Sequence, residues 1–497
     1  MGFRLSWILF FTYLSRISAQ ETIDATIVVH GAAKIAETDE NFVCATIDWW
    51  PTDKCNYNHC PWGKSTALSL DLSHPILGNA IQAFDHLRIR VGGSLQDQVV
   101  YNVGTLKYPC HPFTKMPHGL FGFSKGCLPM YRWDELNHLF NKTGAIVMFG
   151  LNALYGRHKI IGGSAWGGAW DSSNAQAFMK YTISKGFQVD SWEFGNELSG
   201  SGIGASVGAE QYGKDMMQLN KIINELYQKS HPRPLLLAPG GFYDEAWYAK
   251  LLEVSGSGVV NVMTHHLYNL GSGDDPNLAN KILDPHYLNR VSKTFENLQG
   301  TIKSHGPWAS AWVGESGGAY NSGGRHVSNT FVNSFCALLW HRLMGKGVLA
   351  ADNNSSPFLR VYAHCSKGRP GVTLLLINLS NQTNFNVMVR NNMNIDLHIG
   401  KRSPSEGSFL HGLKKSVSWI GRKASDGTLM REEYHLTPDG DLRSQTMALN
   451  GKPLQLTESG DIPNLDPLLT DVQSPLSVIP LSIAFIALPN FEAPGCV

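Results

Sequence analysis

Two glutamates carry the chemistry that this sequence can do. Glu197 stands in WEFGNELSG (192–200) and Glu315 in AWVGESGGAY (311–320); each follows an apolar run and a glycine. Two carboxylates at the ends of buried strands suit glycoside hydrolysis. One stays protonated to give its proton to the leaving oxygen, and the other attacks the anomeric carbon. The donor needs a raised pKa, to which the charge of the second carboxylate contributes. A separation of ~5–5.5 Å between them gives retention of configuration through a covalent intermediate. Asn196, beside Glu197, brings an amide that can hold the sugar 2-hydroxyl. Glu193 shares a strand face with Glu197, deeper in the fold, and is read as structural. Tyr268 offers a phenol to orient Glu315, while His265 and His266, on the same run, are as readily rim packing as catalytic.

Placing those groups takes a scaffold of alternating elements. Apolar strands are expected at 42–49, 86–93, 145–152, 189–197, 235–241, 260–268 and 310–318, with helical segments such as 132–144, 173–186 and 209–230 between them. Strands buried on both faces and separated by helices imply a parallel sheet, and its natural closure at this length is a (β/α)8 barrel of ~250 residues. Glu197 then ends the fourth strand and Glu315 the seventh, on opposite walls of the mouth where barrel enzymes build their sites. No eighth strand is visible. After the seventh comes 327–350, read as one helical stretch and a linker. From residue 357 short strands separated by turns replace the alternation and read as an all-β sandwich domain, 357–497. The barrel domain spans 20–356, and strand 22–31 can cross over to pair with the sandwich.

Composition narrows the class. With 43% hydrophobic and 16% charged residues in 497, the chain is globular and long enough for two domains. A formal charge of +1 supplies no field for a polyanion, so nucleic acid is not an expected partner. Residues 1–19 combine Arg4, an apolar run and small residues at Ser18 and Ala19, which reads as a secretory signal peptide. The run is too short to span a hydrocarbon core of ~30 Å, and the apolar 476–489 contains two prolines and reads as a sandwich strand. The eight cysteines, Cys44, Cys55, Cys60, Cys110, Cys127, Cys336, Cys365 and Cys496, fit no zinc spacing and are read as disulfides of an exported protein, with no metal or cofactor expected. Glycosylation sequons at Asn141, Asn353, Asn354, Asn378 and Asn381 agree with export to the extracellular space or cell wall, with lysosome or vacuole as the alternative destination. Oligomeric state is left open by these features.

The motifs, in order, resemble glycoside hydrolase family 79, and within it the plant heparanase-like β-glucuronidases. The matching text is ATIDWWP (45–51), LRIRVGGSLQD (87–97), MFGLNALYGR (148–157), WEFGNELSG, MTHHLYNLG (263–271), VGESGGAYNSGG (313–324), ALLWHRLMGKGVL (337–349) and SDGTLMREEYHL (425–436). The resemblance implies retaining removal of β-linked glucuronic acid from proteoglycan glycans or small glucuronides, with Glu197 as acid/base and Glu315 as nucleophile. It implies Asp48, Ser94, Asn152 and Asn196 near the sugar hydroxyls, and a Tyr320–Gly323 loop that receives the uronic carboxylate partly through backbone N–H groups. It also implies a Cys365–Cys496 disulfide tying the sandwich to the chain end. One departure is plain: about fifty residues that the family carries between VNSF (332–335) and ALLWHR are replaced here by Cys336 alone. They would hold the rest of the seventh helix, the eighth strand and a tyrosine loop that contacts the uronic acid.

Two alternatives follow. The missing unit suggests an inactive or misfolded member that at most binds glycan. An endo-acting, heparanase-type enzyme on sulfated chains would use the basic pairs Lys401–Arg402, Lys414–Lys415 and Arg422–Lys423, for which ordinary solvated surface is the plainer reading. No long excisable linker appears early in the barrel, so proteolytic activation is not expected.

Overall fold

In the computed structural model, residues 21–228, 232–333, 337–392 and 429–497 are described. The expected signal peptide, Cys336 and the three basic pairs lie outside them. All seven expected barrel strands form, at Cys44–Ile47, Arg88–Val91, Ile146–Leu151, Ser191–Phe194, Leu235–Gly241, Val262–Leu267 and Ser310–Ser316. They pair in parallel in chain order as one seven-stranded sheet. Helices Met130–Thr143, Ser173–Ser184 and Ala209–Leu226 cross over between consecutive strands. Behind the third and fourth strands the aromatic side chains interlock. Phe149 lies 5.1 Å from Trp133, 4.9 Å from Phe178 and 5.7 Å from Trp192, ring centre to ring centre. All four rings are withdrawn from water, which makes this wall the rigid side of the barrel.

The opposite side is open. The second and fourth strands are buried along their whole length, whereas Cys44, Ala45 and Thr46 of the first and Ser310, Ala311 and Ser316 of the seventh are exposed. These two strands are the sheet's edges and do not pair with each other. Inside the barrel Arg88 of the second strand lies over the Trp312 ring of the seventh at 4.5 Å, and further contacts lie above and below the gap. At the mouth, Ser322 Oγ accepts from Asn56 Nδ2 at 2.6 Å and from Trp62 Nε1 at 3.0 Å. That joins the disulfide-stapled loop Cys55–Cys60, after the first strand, to the loop after the seventh. At the other end the helix Ala337–Leu343 stacks Trp340 on Phe42, and its Arg342 donates to Ala83 O at 3.0 Å.

The stretch 327–350 is not one helix and a linker. Among its described residues only Ala337–Leu343 is α-helical; the chain then enters a strand, Met344–Asn353, so the antiparallel domain begins before residue 357. Gly345, Gly347 and the β-branched Val348 explain the switch, because both residue types weaken a helix. The all-β domain holds an 11-stranded sheet folded over its own core of Ile27, Leu374, Phe385, Val478 and Ile486. Strand Glu21–Glu37 joins it, parallel to Thr383–Asn391 and antiparallel to Met344–Asn353. The apolar 476–489 supplies two of its strands, and no helix among the described residues is long and apolar enough to cross a membrane. Disulfides join Cys55–Cys60, Cys110–Cys127 and Cys365–Cys496; Cys44, on the exposed first strand, is unbonded. Asn378 departs from its expected role as a glycan acceptor. Its amide is buried and donates to Thr383, Val478 and Ile479 carbonyls, so a glycan has no access to it. Asn141, Asn354 and Asn381 are exposed, and Asn353 is half-buried with its amide donating to two carbonyls.

Candidate active site

Glu197 and Glu315 meet across the mouth through His266. Nδ1 of that fully buried ring lies 3.0 Å from Glu197 Oε1 and 3.6 Å from Glu315 Oε2. Oxygens of the two carboxylates lie within 4.8 Å of one another. Local backbone features set this geometry. Just past the fourth strand, Gly195 and Glu197 take φ of +70° and +54°, and Glu197 N donates to Gly240 O at 2.7 Å. A left-handed non-glycine residue is strained, a cost retained mainly where surrounding structure fixes it at a functional position. On the seventh strand a bulge skips Gly314, so that His265 faces Val313 but His266 faces Glu315. The bulge re-aims the carboxylate toward the mouth.

A buried arginine organises the floor. From the second strand, Arg90 donates Nε to Glu193 at 2.7 Å, Nη1 to Glu315 at 2.6 Å and Nη2 to Asn196 Oδ1 at 2.9 Å. Because the guanidinium takes its carbonyl oxygen, Asn196 must turn Nδ2 the other way, and that buried donor has no protein partner. Asp97 holds the same turn by accepting from Asn196 N at 2.8 Å and Ala153 N at 2.7 Å. Tyr268 donates its hydroxyl to Glu315 Oε2 at 2.9 Å.

Charge follows from these contacts. Burial pushes the Glu315 carboxyl up, but His266 and Arg90 outweigh it and hold the group below the usual carboxylate range. Burial disfavours a charged His266, yet the neighbouring Glu315 and Glu197 raise its pKa on balance. Asp48 is pushed up to about 8, first by burial and then by the charge of Glu315, so it stands ready as a proton-bearing hydrogen-bond donor. Burial lifts Asp97 to about 7. Glu197, His266 and Glu315 could in principle ligate a metal, but the Arg90 cation at 2.6 Å from Glu315 already neutralises that carboxylate and opposes a second cation beside it.

The remaining expected residues fall in three places. Asp48 and Ser94 sit half-buried past the first and second strands, and Gly93 makes room for the Asp48 carboxylate: a Cβ there would lie 2.2 Å from an Asp48 oxygen. Tyr320 lies half-exposed on the rim, at the start of a loop in which Asn321, Ser322 and Gly323 all have φ between +59° and +74°. Their three N–H groups have no protein acceptor among the described residues. Asn152 is buried just past the third strand, where its amide nitrogen donates to Val99 O and its amide oxygen accepts from Leu154 N. Sequence reasoning passed over Arg90 and Asp97 and left His266 undecided. The signal for Arg90 was available: a charged residue inside RIRV, a strand otherwise fit for full burial, requires acidic partners.

The profile of glycosyl hydrolase family 79, N-terminal domain, matches residues 24–340. Heparanase-like protein 1 of Arabidopsis thaliana is 58% identical, with 100% of both chains covered. That alignment runs over 545 residues, 48 more than the 497 of this chain, so 48 aligned positions have no counterpart here. Baicalin-beta-D-glucuronidase of Scutellaria baicalensis is 35% identical over 94% of this chain and 93% of its own. Among solved structures, a 4-O-alpha-L-rhamnosyl-beta-D-glucuronidase from Fusarium oxysporum 12S superposes with a TM-score of 0.58 over 93% of this chain and 100% of its own, at 14% identity, which speaks to the fold alone.

Proposed function

The chain belongs to glycoside hydrolase family 79, and from that premise we propose that it is an exported, retaining β-glucuronidase. The observation that carries this reading is the approach of the Glu197 and Glu315 oxygens to within 4.8 Å. Retaining enzymes hold their carboxyl groups ~5–5.5 Å apart, whereas inverting ones leave ~6.5–9.5 Å for a water. In the first step Glu315, kept anionic by His266 and Arg90, attacks the anomeric carbon. The bond to the leaving oxygen breaks as Glu197 gives that oxygen its proton. Tyr268 and Arg90 fix the attacking carboxylate, and Asn196 Nδ2 donates to the sugar 2-hydroxyl as positive charge develops on the ring. In the second step Glu197, now a carboxylate, takes a proton from water; the water oxygen bonds to the anomeric carbon, and Glu315 leaves with its electron pair. Asp48 and Ser94 serve the remaining hydroxyls.

The uronate is assigned to the loop Tyr320–Gly323, whose free N–H groups form a concavity suited to an anion. Baicalin-beta-D-glucuronidase among the relatives supports a glucuronide substrate. Three disulfides support an oxidising compartment, outside the cell or in the wall or vacuole. The test is hydrolysis of a chromogenic β-glucuronide at acidic pH by the purified chain, with nuclear magnetic resonance of the first-formed anomer. Release of the β-anomer supports the reading; release of the α-anomer, or cleavage of β-glucosides alone, rejects it. One observation favours a second reading, a glycan binder without turnover: the exposed edges of the first and seventh strands. Saccharide binding with no hydrolysis would select it.

A further inference from the structure

We infer that Phe242 is the platform of the leaving-group subsite, and that this subsite takes an uncharged aglycone presenting a flat apolar face. The inference rests on the glycosidase reading and deepens it. Glu197 gives its proton to the leaving oxygen, so whatever borders Glu197 on the solvent side borders the aglycone. That neighbour is the segment ending the fifth strand: a Cβ on Gly241 would sit 3.2 Å from Glu197 Cα, and Phe242 follows directly. Its backbone is held, because Phe242 O accepts from Ser199 Oγ at 2.9 Å. Its ring stands 6.4 Å from both His266 and Tyr268, centre to centre, yet 38% of the residue remains exposed. An aromatic ring braced against two catalytic-wall rings, with one face open at the mouth, is placed to stack.

The charges around it define what it accepts. The loop after the fifth strand continues with exposed Asp244 and Glu245. The loop after the sixth carries Asp274 and Asp275, and Lys281 there is already paired with Asp275 at 2.5 Å and with Leu270 O at 2.8 Å. Among the described residues these loops offer a sulfated or carboxylated leaving group no cation that is not already paired, and Asp244 and Glu245 follow Phe242 closely in the chain. A phenolic ring, or the apolar face of a neutral pyranose, meets only the phenyl ring.

The test is equilibrium binding, which does not depend on turnover. Three 1-thio-β-D-glucuronides, with methyl, phenyl and 4-sulfophenyl aglycones, and a thio-linked glucuronyl-xyloside are titrated into the wild-type chain, Phe242→Ala and Phe242→Tyr. Ring stacking of ~0.5–1.5 kcal/mol predicts that phenyl binds about two- to tenfold more tightly than methyl, that Phe242→Ala erases the preference, and that Phe242→Tyr keeps it. The same pattern with the xyloside assigns the sugar face; with phenyl alone, the aromatic face. A preference that survives Phe242→Ala overturns the platform, and 4-sulfophenyl binding as tight as phenyl overturns the requirement for neutrality. Should no glucuronide bind while phenyl 1-thio-β-D-glucoside binds with the same dependence on Phe242, the uronate reading fails and the platform stands. If no aryl glycoside depends on Phe242, the platform fails.

Discussion

Arg90 Nη1 donates to Glu315 Oε1 at 2.6 Å, from a guanidinium that is 1% exposed and also binds Glu193 and Asn196. One side chain thus holds two carboxylates and the Asn196 amide in fixed positions. Arg90→Met leaves Glu193 buried beside an apolar group, and breaking such a pair costs about 3–5 kcal/mol. We expect a fall in thermal midpoint for Arg90→Met. For Arg90→Lys, which keeps the charge but cannot reach three acceptors, we expect a smaller fall with kcat depressed more than KM is raised. Calorimetry and steady-state kinetics on the two variants check this.

The two glutamates have separable signatures. Glu315→Gln removes the attacking group, and turnover of every β-glucuronide should vanish. Glu197→Gln removes only proton transfer, worth roughly 10²–10⁴-fold. The loss in kcat/KM should therefore be severe for alkyl glucuronides and mild for nitrophenyl glucuronide, whose leaving group needs no proton, while kcat falls on both because the second step has lost its base. Added azide should restore rate to the Glu197 variant and form a β-glucuronyl azide. Equal loss of kcat/KM on both substrates would remove Glu197 from the acid role.

Asn196 offers a contrast with Asn152: both were expected near the sugar, and of the two only the Asn196 amide nitrogen lacks any protein partner among the described residues. Asn196→Ala should lower kcat/KM on a glucuronide by about 10²-fold, an estimate from the several kcal/mol attributed to 2-hydroxyl contacts in the transition state. The 2-deoxy substrate should be cleaved equally by both proteins. If it discriminates between them as strongly, the amide acts elsewhere.

How far the sequence reached can be judged from such residues. The seven strands were legible because each is a short apolar run between helical segments, and Glu197 and Glu315 were legible because their positions at strand ends follow from that count. Tyr268 was placed against Glu315 by the same reasoning. Arg90 and His266 were not legible as site residues, since their roles arise from neighbours 225 and 69 residues away in the chain. Asn152 shows a different limit, because its backbone partners could not be read from its position. Strand-end position predicts proximity to the mouth but not the direction in which an amide finds its partners. The strand Met344–Asn353 was missed because an apolar stretch after a helix carries no mark of which domain it will join.

Asp48 gives the protein a pH-dependent stability of definite sign. Its folded pKa of about 8 lies above the ordinary ~3.9, so between those values folding takes up a proton. Stability from this group is present in full below pH ~4 and is lost as pH rises toward 8; Asp97, at about 7, acts in the same sense. The thermal midpoint should therefore be higher at pH 5 than at pH 8. Asp48→Asn, neutral throughout, should flatten the difference. An unchanged slope in that variant would show that Asp48 ionises freely in the folded protein.

The open side of the barrel makes the sharpest prediction about the scaffold. Cys44–Ile47 and Ser310–Ser316 each have one paired and one unpaired edge, while Arg88–Val91 is paired on both. Amide protons facing an unpaired edge exchange through local opening of low free energy, and those of a doubly paired buried strand only through larger unfolding. Hydrogen exchange read by mass spectrometry should therefore label the first and seventh strands well before the second. Unpaired edges also template association between chains, so light scattering should rise with concentration. Inserting a strand-and-helix unit between residues 333 and 337 should protect both strands together, because a single added strand can pair with both edges. Protection of one strand alone would mean that the inserted segment docks without closing the barrel, and Glu315, carried on the seventh strand, would remain on a mobile wall.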